Sequence, residues 1–419
     1  MNSKITIGAI AACAVIAVGG YCGFIKYQTS VFDEKAQQFS EYENKTTKFH
    51  METIGSTFTS RTVQITQEIK DLDAVISYIA ETNFGWNPTT RIYSFKSGSV
   101  ELNQLLEKLA PVMQVNFTKT FTPVSVSFDS KEASDKTKDF SYQIGKMTAH
   151  SDLSVQETKN ADLPYVLSDF KSQFTAEPGQ LNGEGWDLKI GRQDVESSGS
   201  YKGPVHYNFT YSLGATAGIS GRTRISSDHV KIETTMNQVE NNSVQTLGLH
   251  LHDLKTKFEG VNFDIDQADV EGSLAWPKEL SLQSAMMHLY AEDDLCKETP
   301  QACMGFDGAG NLVTTTEDDF INAAKEGKVS FKLLPSTIKN KDLTLTGSGS
   351  MVWNAEKKTF GDFTFNLKAE NPNMLAMVAM FIPRGLFKQV SDKELESKIN
   401  CAVDESGTPY CAANGKKLF

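Results

Sequence analysis

Cationic side chains are in the minority in this sequence: 41 Lys and Arg stand against 52 Asp and Glu, leaving a net charge of -11. Nucleic-acid affinity comes largely from cations that displace condensed counterions, so this balance repels a polyphosphate and excludes nucleic acid as a partner. The glycine period of collagen, the heptads of a coiled coil and the compositional bias of wholesale disorder are all missing. Trp is scarce, at 4 residues beside 25 Phe and 12 Tyr. No Pro-rich or low-complexity linker divides the 419 residues, a length sufficient for a large core. Enzyme signatures are lacking too. There is no G-x-S-x-G elbow, no G-x-x-x-x-G-K-[ST] loop, no H-E-x-x-H and no dinucleotide fingerprint after a strand. The sequence therefore reads as a protein that is not an enzyme and carries no cofactor.

One long apolar run is present. Ile5 to Ile25 carry no charge and are bounded by Lys4 and Lys26. At about 1.5 Å per residue the run reaches the roughly 30 Å hydrocarbon thickness, which a secretory h-region has no need to do. Residues 1–26 are expected to be an N-terminal transmembrane helix and an uncleaved anchor. Cleavage near Ala14 to Gly20 and a lipobox-like site at Ile10 to Cys13 are the alternatives. Four of the six cysteines lie outside the run in two close pairs, Cys296 with Cys303 and Cys401 with Cys411. Short local pairs are the pattern found where disulfides persist, which points the body toward an oxidising space. Four unrelated thiols remain the alternative, because spacing does not show that the Cβ atoms meet. Neither pair is C-x-x-C and no His lies beside either, which disfavours zinc.

Periodicity divides the rest. Asp33 to His50 reads as a stalk helix, and Val63, Ile65, Ile69, Leu72, Val75, Ile76 and Ile79 recur at helical steps. Leu102, Leu105, Leu106, Leu109, Val112 and Met113 mark another helix, so residues 27–117 are expected to form a helical neck. From about Thr118 the period becomes two: Val124 to Phe128, Trp186 to Ile190, Val230 to Ile232, Leu247 to Leu251, Phe263 to Ile265, Val329 to Phe331, Leu343 to Leu345 and Phe363 to Leu367 all alternate. Alternation places one face on a core and the other in water and favours antiparallel pairing. Leu163 to Phe174 and Glu317 to Lys328 are expected as helical interruptions. The expectation is an α+β protein whose residues 118–370 form a large, mostly antiparallel, curled β-sheet with a few covering helices. Such a sheet must cover its apolar face, curl on itself or bind something apolar.

Residues 371–419 are expected to hold C-terminal helices and a Cys-linked hairpin. A helix from Met374 to Ile382 follows the cap at Asn371 to Asn373, and Ser391 to Glu394 reads as a capping box opening another. The first is too short to span a bilayer. It either packs on the sheet or presents Met374, Met377, Met380 and Phe381 to acyl chains. Phe128, Phe263, Phe331, Phe363 and Phe365 fall on inward strand positions, where they fill a core or line an apolar groove. His250 and His252 share one strand face and supply two of the ligands a zinc ion needs, with no third in view; a wet-face pair beside inward Leu249 and Leu251 explains the same letters. Acidic clusters at Glu292 to Asp294 and Glu317 to Asp319 read as solvated faces.

The strand Leu343 to Met351, the strand Gly361 to Leu367 and the Met374 to Ile382 helix give a terminal strand-strand-helix unit behind an anchored β body. This resembles bacterial inner-membrane proteins of the broad AsmA-like kind. The resemblance implies an envelope role, handling lipid or supporting outer-membrane assembly, and no functional residues. The expected function is that of a membrane-anchored periplasmic binding or structural protein, single-pass in the bacterial inner membrane, whose apolar sheet face contacts lipid or envelope proteins. The alternatives are a protein-protein interaction scaffold and a metal-dependent hydrolase built on His250 and His252.

Overall fold

The computed structural model describes residues 22, 24–34, 37, 41–43, 47–70, 74–120, 122–137, 139–157, 165–258, 261–290, 296, 303–352, 359–373, 375, 382–383, 385–404 and 408–418. Residues 5–21 and 23, most of the expected anchor, lie outside that set, as do Met374, Met377, Met380 and Phe381. Among the described residues no helix is long and apolar enough to cross a membrane. The chain divides into two compact units, Met1–Asp135 with Gln143–Val155, and Lys136–Tyr142 with Gln156–Phe419.

The first unit is an antiparallel meander through much of the expected helical neck. Thr47–Ser56, Ser60–Ile69, Ala74–Asn83 and Thr89–Ser97 pair in sequence order, followed by Val112–Phe117, Pro123–Asp129 and Met147–Glu157. The residues read as one helix from Val63 to Ile79 thus fall in two strands, apart from Leu72, which lies outside the described residues; Val63 stands opposite Ala80 and Ile65 opposite Tyr78. Steps of three and four were produced by two alternating runs set end to end. β-branched Val, Ile and Thr dominate them, and such residues lose side-chain freedom in a helix but fit a pleated sheet. The stalk expected over Asp33 to His50 likewise gives way to strand from Thr47.

The helix expected at Leu102 does form, as Val100–Leu109. Ser99 Oγ accepts from Leu102 N–H at its start, and Ala110 stops it in the left-handed region with φ 41°. Residues 24–34 are also helical. They dock on the meander through the fully buried Gln28, whose Nε2 donates to the carbonyls of Gly85 and Lys119, both at 3.0 Å, while Gly85 N–H donates back to Oε1 at 3.1 Å. An amide satisfied on both sides makes burial tolerable where an unpaired one would be costly.

The second unit is a larger antiparallel sheet. Pairing runs from Tyr165–Ala176 through Gln193–Ser200, His206–Leu213, His229–Val239, Asn242–Phe258 and Val261–Pro277. It continues through Ser330–Lys339, Leu343–Val352, Thr359–Ala369, Glu394–Val403 and Pro409–Ala413. Among the described residues no registered pair returns from the last strands to the first, so this sheet is open and not curled as expected. Closing a sheet requires its two edges to meet in register, and each edge here ends without the other.

Two more expected helices are strands. In Tyr165–Ala176, Phe170 and Phe174 share one face while Asp169, Lys171, Gln173 and Thr175 fall on the other, a period of two that outweighs the helical spacing. Ser391 to Glu394 forms the turn between Lys388–Ser391 and Glu394–Val403. The capping box that does operate is Thr316 with Asp319, opening the helix Glu317–Lys325 within the expected segment. A second helix, Leu282–Tyr290, had no counterpart in the sequence reading.

Several strands break at one level. Tyr165–Ala176 gives way to Gly179–Gly183, Trp186–Ile190 to Gln193–Ser200, His206–Leu213 to Thr216–Ser220 and Thr223–Ser227 to His229–Val239. Neighbouring Asn242–Phe258 takes φ 51° at Asp253. Gly214 N–H donates to Arg192 O at 2.8 Å and Asp228 N–H to His252 O at 3.2 Å, which stitches the breaks together. Gly191 is required here, because a Cβ would collide with the Gly214 backbone.

Candidate functional site

Directly opposed residues in an antiparallel pair point to the same side, so the registers of the second unit can be read as rows across the sheet. One row is polar throughout: Thr175, Asp194, Ser212, Lys231, His250, Asp269, Thr337, Thr346, Asn366 and Glu396. The adjoining row on the opposite face is apolar across eight strands: Leu213, Val230, Leu251, Ala268, Ile338, Leu345, Leu367 and Leu395. A second apolar row, Phe174, Val195, Tyr211, Ile232, Leu249 and Val270, shares that face. With strands about 4.8 Å apart, the eight-strand row extends about 34 Å.

What lies over this face differs along it. At one end Trp276 is fully buried beside Phe320, ring centroids 6.2 Å apart, and its Nε1 donates to Leu280 O at 3.1 Å. At the other, Leu367, Ala369, Leu375 and Leu395 form a buried cluster with Ile382 and Phe387 against it. On Asn242–Phe258, the strand beside the one that carries Trp276, the face is open: Leu247 is 56% exposed and Leu249 40%. Covering a fully exposed Leu side chain is worth about 1.5–3 kcal/mol, and the exposed parts of Leu247 and Leu249 together amount to about one such side chain.

Rings lie flat on the same face. Phe365 sits over Gly347, where a Cβ would come within 2.6 Å of its Cδ1, and Phe170 lies over Gly199, where a Cβ would come within 2.7 Å of Cε1. Phe363 covers Gly349 in the same way. Glycine opposite an aromatic ring lets the ring lie down and shields the bare backbone. Phe331, Phe363 and Phe365 thus lie on the apolar face, as their alternation suggested.

His250 and His252 belong to the polar face. His250 Nδ1 donates to Asp269 Oδ1 at 2.8 Å and its Nε2 lies 3.4 Å from Glu233 Oε2. The His250 hydrogen bond holds the Asp269 carboxyl below the usual carboxylate range, helped by a bond from Gln267 and opposed by burial. The His252 ring instead neighbours His229, centroids 6.4 Å apart. The two imidazoles therefore serve different partners, and no third ligand converges on them among the described residues.

Both expected cysteine pairs are disulfides. Cys401 and Cys411 stand directly opposite in the terminal hairpin. Cys296 and Cys303 lie close to His288, a neighbour that the sequence reading placed near neither pair. The sequence carries no sign of this approach, because eight positions separate His288 from Cys296 and His288 rides on the Leu282–Tyr290 helix, which the periodicity does not reveal. In the first unit a cavity of about 560 Å³ lies between Thr89–Ser97 and Val100–Leu109. Its wall carries Arg91 over the Tyr93 ring, Lys96 and Glu107, with no nucleophile and base set against each other. No protein-family pattern, curated protein or solved structure matches this chain.

Proposed function

We propose that the protein is a membrane-anchored, extracytoplasmic binding protein of a bacterial cell envelope that holds lipid acyl chains along the open apolar strip of its second unit. The observation that carries this is the uncovered apolar face spanning Leu247 and Leu249, with the all-polar row through His250 on the opposite face. Its chemistry suits acyl chains better than a protein partner. Protein interfaces concentrate Trp, Tyr and Arg hot spots and polar rims, whereas the two apolar rows hold Leu, Val, Ile, Ala and Phe, with Tyr211 alone of the hot-spot set. The row through Leu249 crosses six strands, about 24 Å, enough for an acyl chain from one leaflet of a roughly 30 Å hydrocarbon layer to lie along it. The apolar run Ile5 to Ile25 and the two disulfides support an envelope location of the AsmA-like kind.

A photo-crosslinking amino acid at Leu247 in the full chain, expressed in a bacterial envelope, tests this reading. Lipid adducts identified by mass spectrometry are the expected result. Protein adducts alone would favour the scaffold alternative, for which the same exposed strip is the specific motive.

A further inference from the structure

His288, Cys296 and Cys303 form a cluster that the lipid reading does not use. One ring nitrogen of His288 and the two sulfurs all lie within 4.8 Å of one another. His288 is on the last turn of Leu282–Tyr290, and its Nδ1 donates to the carbonyl of Ser284 at 2.9 Å. A carbonyl only accepts, so that bond puts the imidazole hydrogen on Nδ1 and leaves the Nε2 lone pair to bind. Metal-binding histidines are oriented in this way, with one nitrogen on the metal and the other held by a carbonyl or carboxylate.

Ser284 also fixes the cysteine side. Its Oγ donates to the Cys303 carbonyl at 2.6 Å and accepts from Thr315 N–H at 2.8 Å, while Ser281 N–H donates to Thr315 Oγ1 at 2.9 Å. Ser281, Ser284, Cys303 and Thr315 are all buried. One residue therefore places both His288 and Cys303 through bonds that do not depend on the disulfide. Cys296 is half-buried, against the buried Cys303.

We propose that reduction of the Cys296–Cys303 disulfide turns this cluster into a binding site for a borderline-soft divalent cation, zinc by its ligand set. A dithiol supplies two electrons and two protons, the S–S bond breaks into two thiols, and the dithiol leaves as its own disulfide. Zinc then displaces one proton from each thiol to solvent and gains two Zn–S bonds, with His288 Nε2 third and water fourth. Tetrahedral geometry with Zn–S near 2.3 Å sets the sulfurs about 3.8 Å apart, so they must part from bonding distance once the disulfide is reduced. In the oxidised protein the sulfurs are bonded to each other and offer no thiolate, so metal and disulfide exclude one another. The inference stands independently of the lipid reading.

The test uses the full chain, reduced with a phosphine without oxygen, loaded with zinc and freed of excess metal. Zinc-edge X-ray absorption is expected to show two sulfurs and one imidazole around a single bound ion, with none retained by the oxidised protein. No retained zinc after reduction, a shell of sulfur alone from the other cysteines, or equal binding to the oxidised chain would each overturn it. Losing an outer-shell partner costs metal sites about 10–100-fold, so removing the ligand itself in His288→Ala is expected to weaken zinc at least about 100-fold. Unchanged affinity in that variant would count equally against the site, and the absorption experiment decides even where the variant fails to fold.

Discussion

Leu367 and Leu247 lie on the same face of the same sheet and differ in exposure from 8% to 56%. The registers from Leu247 through Gly272, Leu333 and Gly349 to Phe363 place them on one side. Alternation decided the sidedness of both. Burial was decided by whether residues such as Leu375, Ile382 and Phe387 lie over the row. A sheet with a closed core would have given both leucines the same environment; this one separates a structural end from an available middle.

The contrast is sharpest in stability. Leu367→Ala is expected to cost about 2–5 kcal/mol in urea unfolding, because it leaves a cavity within a packed cluster. A loss below 1 kcal/mol would show that the end is as open as the middle. Gly349→Ala is expected to cost about 1–3 kcal/mol, since the added methyl collides with the Phe363 ring and with the backbone at Asp362 O and Phe363 Cα, so the ring and the strand must both shift.

On the polar face, Asp269→Asn is expected to cost under about 1 kcal/mol at about pH 5. The folded carboxyl titrates below its unfolded value, so its stabilisation is present above about pH 4 and lost as pH falls through the lowered folded value. The gap between wild type and variant should therefore close toward about pH 2, and a gap that persists there would mean that His250 is not its origin. Smallest of all is Leu247→Ser, expected within about 0.5 kcal/mol of wild type because the side chain is already largely in water. Lipid crosslinking at a neighbouring position such as Leu249 should nonetheless fall.

The strands of the second unit were legible wherever Leu, Ile or Phe alternated with Thr, Ser or Lys, as in Trp186–Ile190 and Thr359–Ala369. Both disulfides were legible from local spacing. The first unit was misread because Val63 to Ile79 satisfies helical steps and strand alternation at once, and only β-branching separates the two readings. Ser391 to Glu394 misled for a related reason: a capping-box pattern needs a helix to cap, and the following Glu394–Val403 alternates instead. The aligned strand breaks at Gly191, Gly214 and Asp253 depend on register between distant strands, which no single segment encodes. The same holds for the continuous apolar row and for the approach of His288 to the cysteines.

The rings of Phe170, Phe363 and Phe365, laid flat over glycines, give the apolar strip low relief. A smooth surface offers no notch in which a branch point or a double bond is read, and so grips by contact area alone. Retention of an acyl chain on it would then track length, at about 0.8 kcal/mol for each methylene covered, with little regard for where along the row the chain comes to rest. If lipid is the occupant, such a surface would sort by size and leave it free to slide.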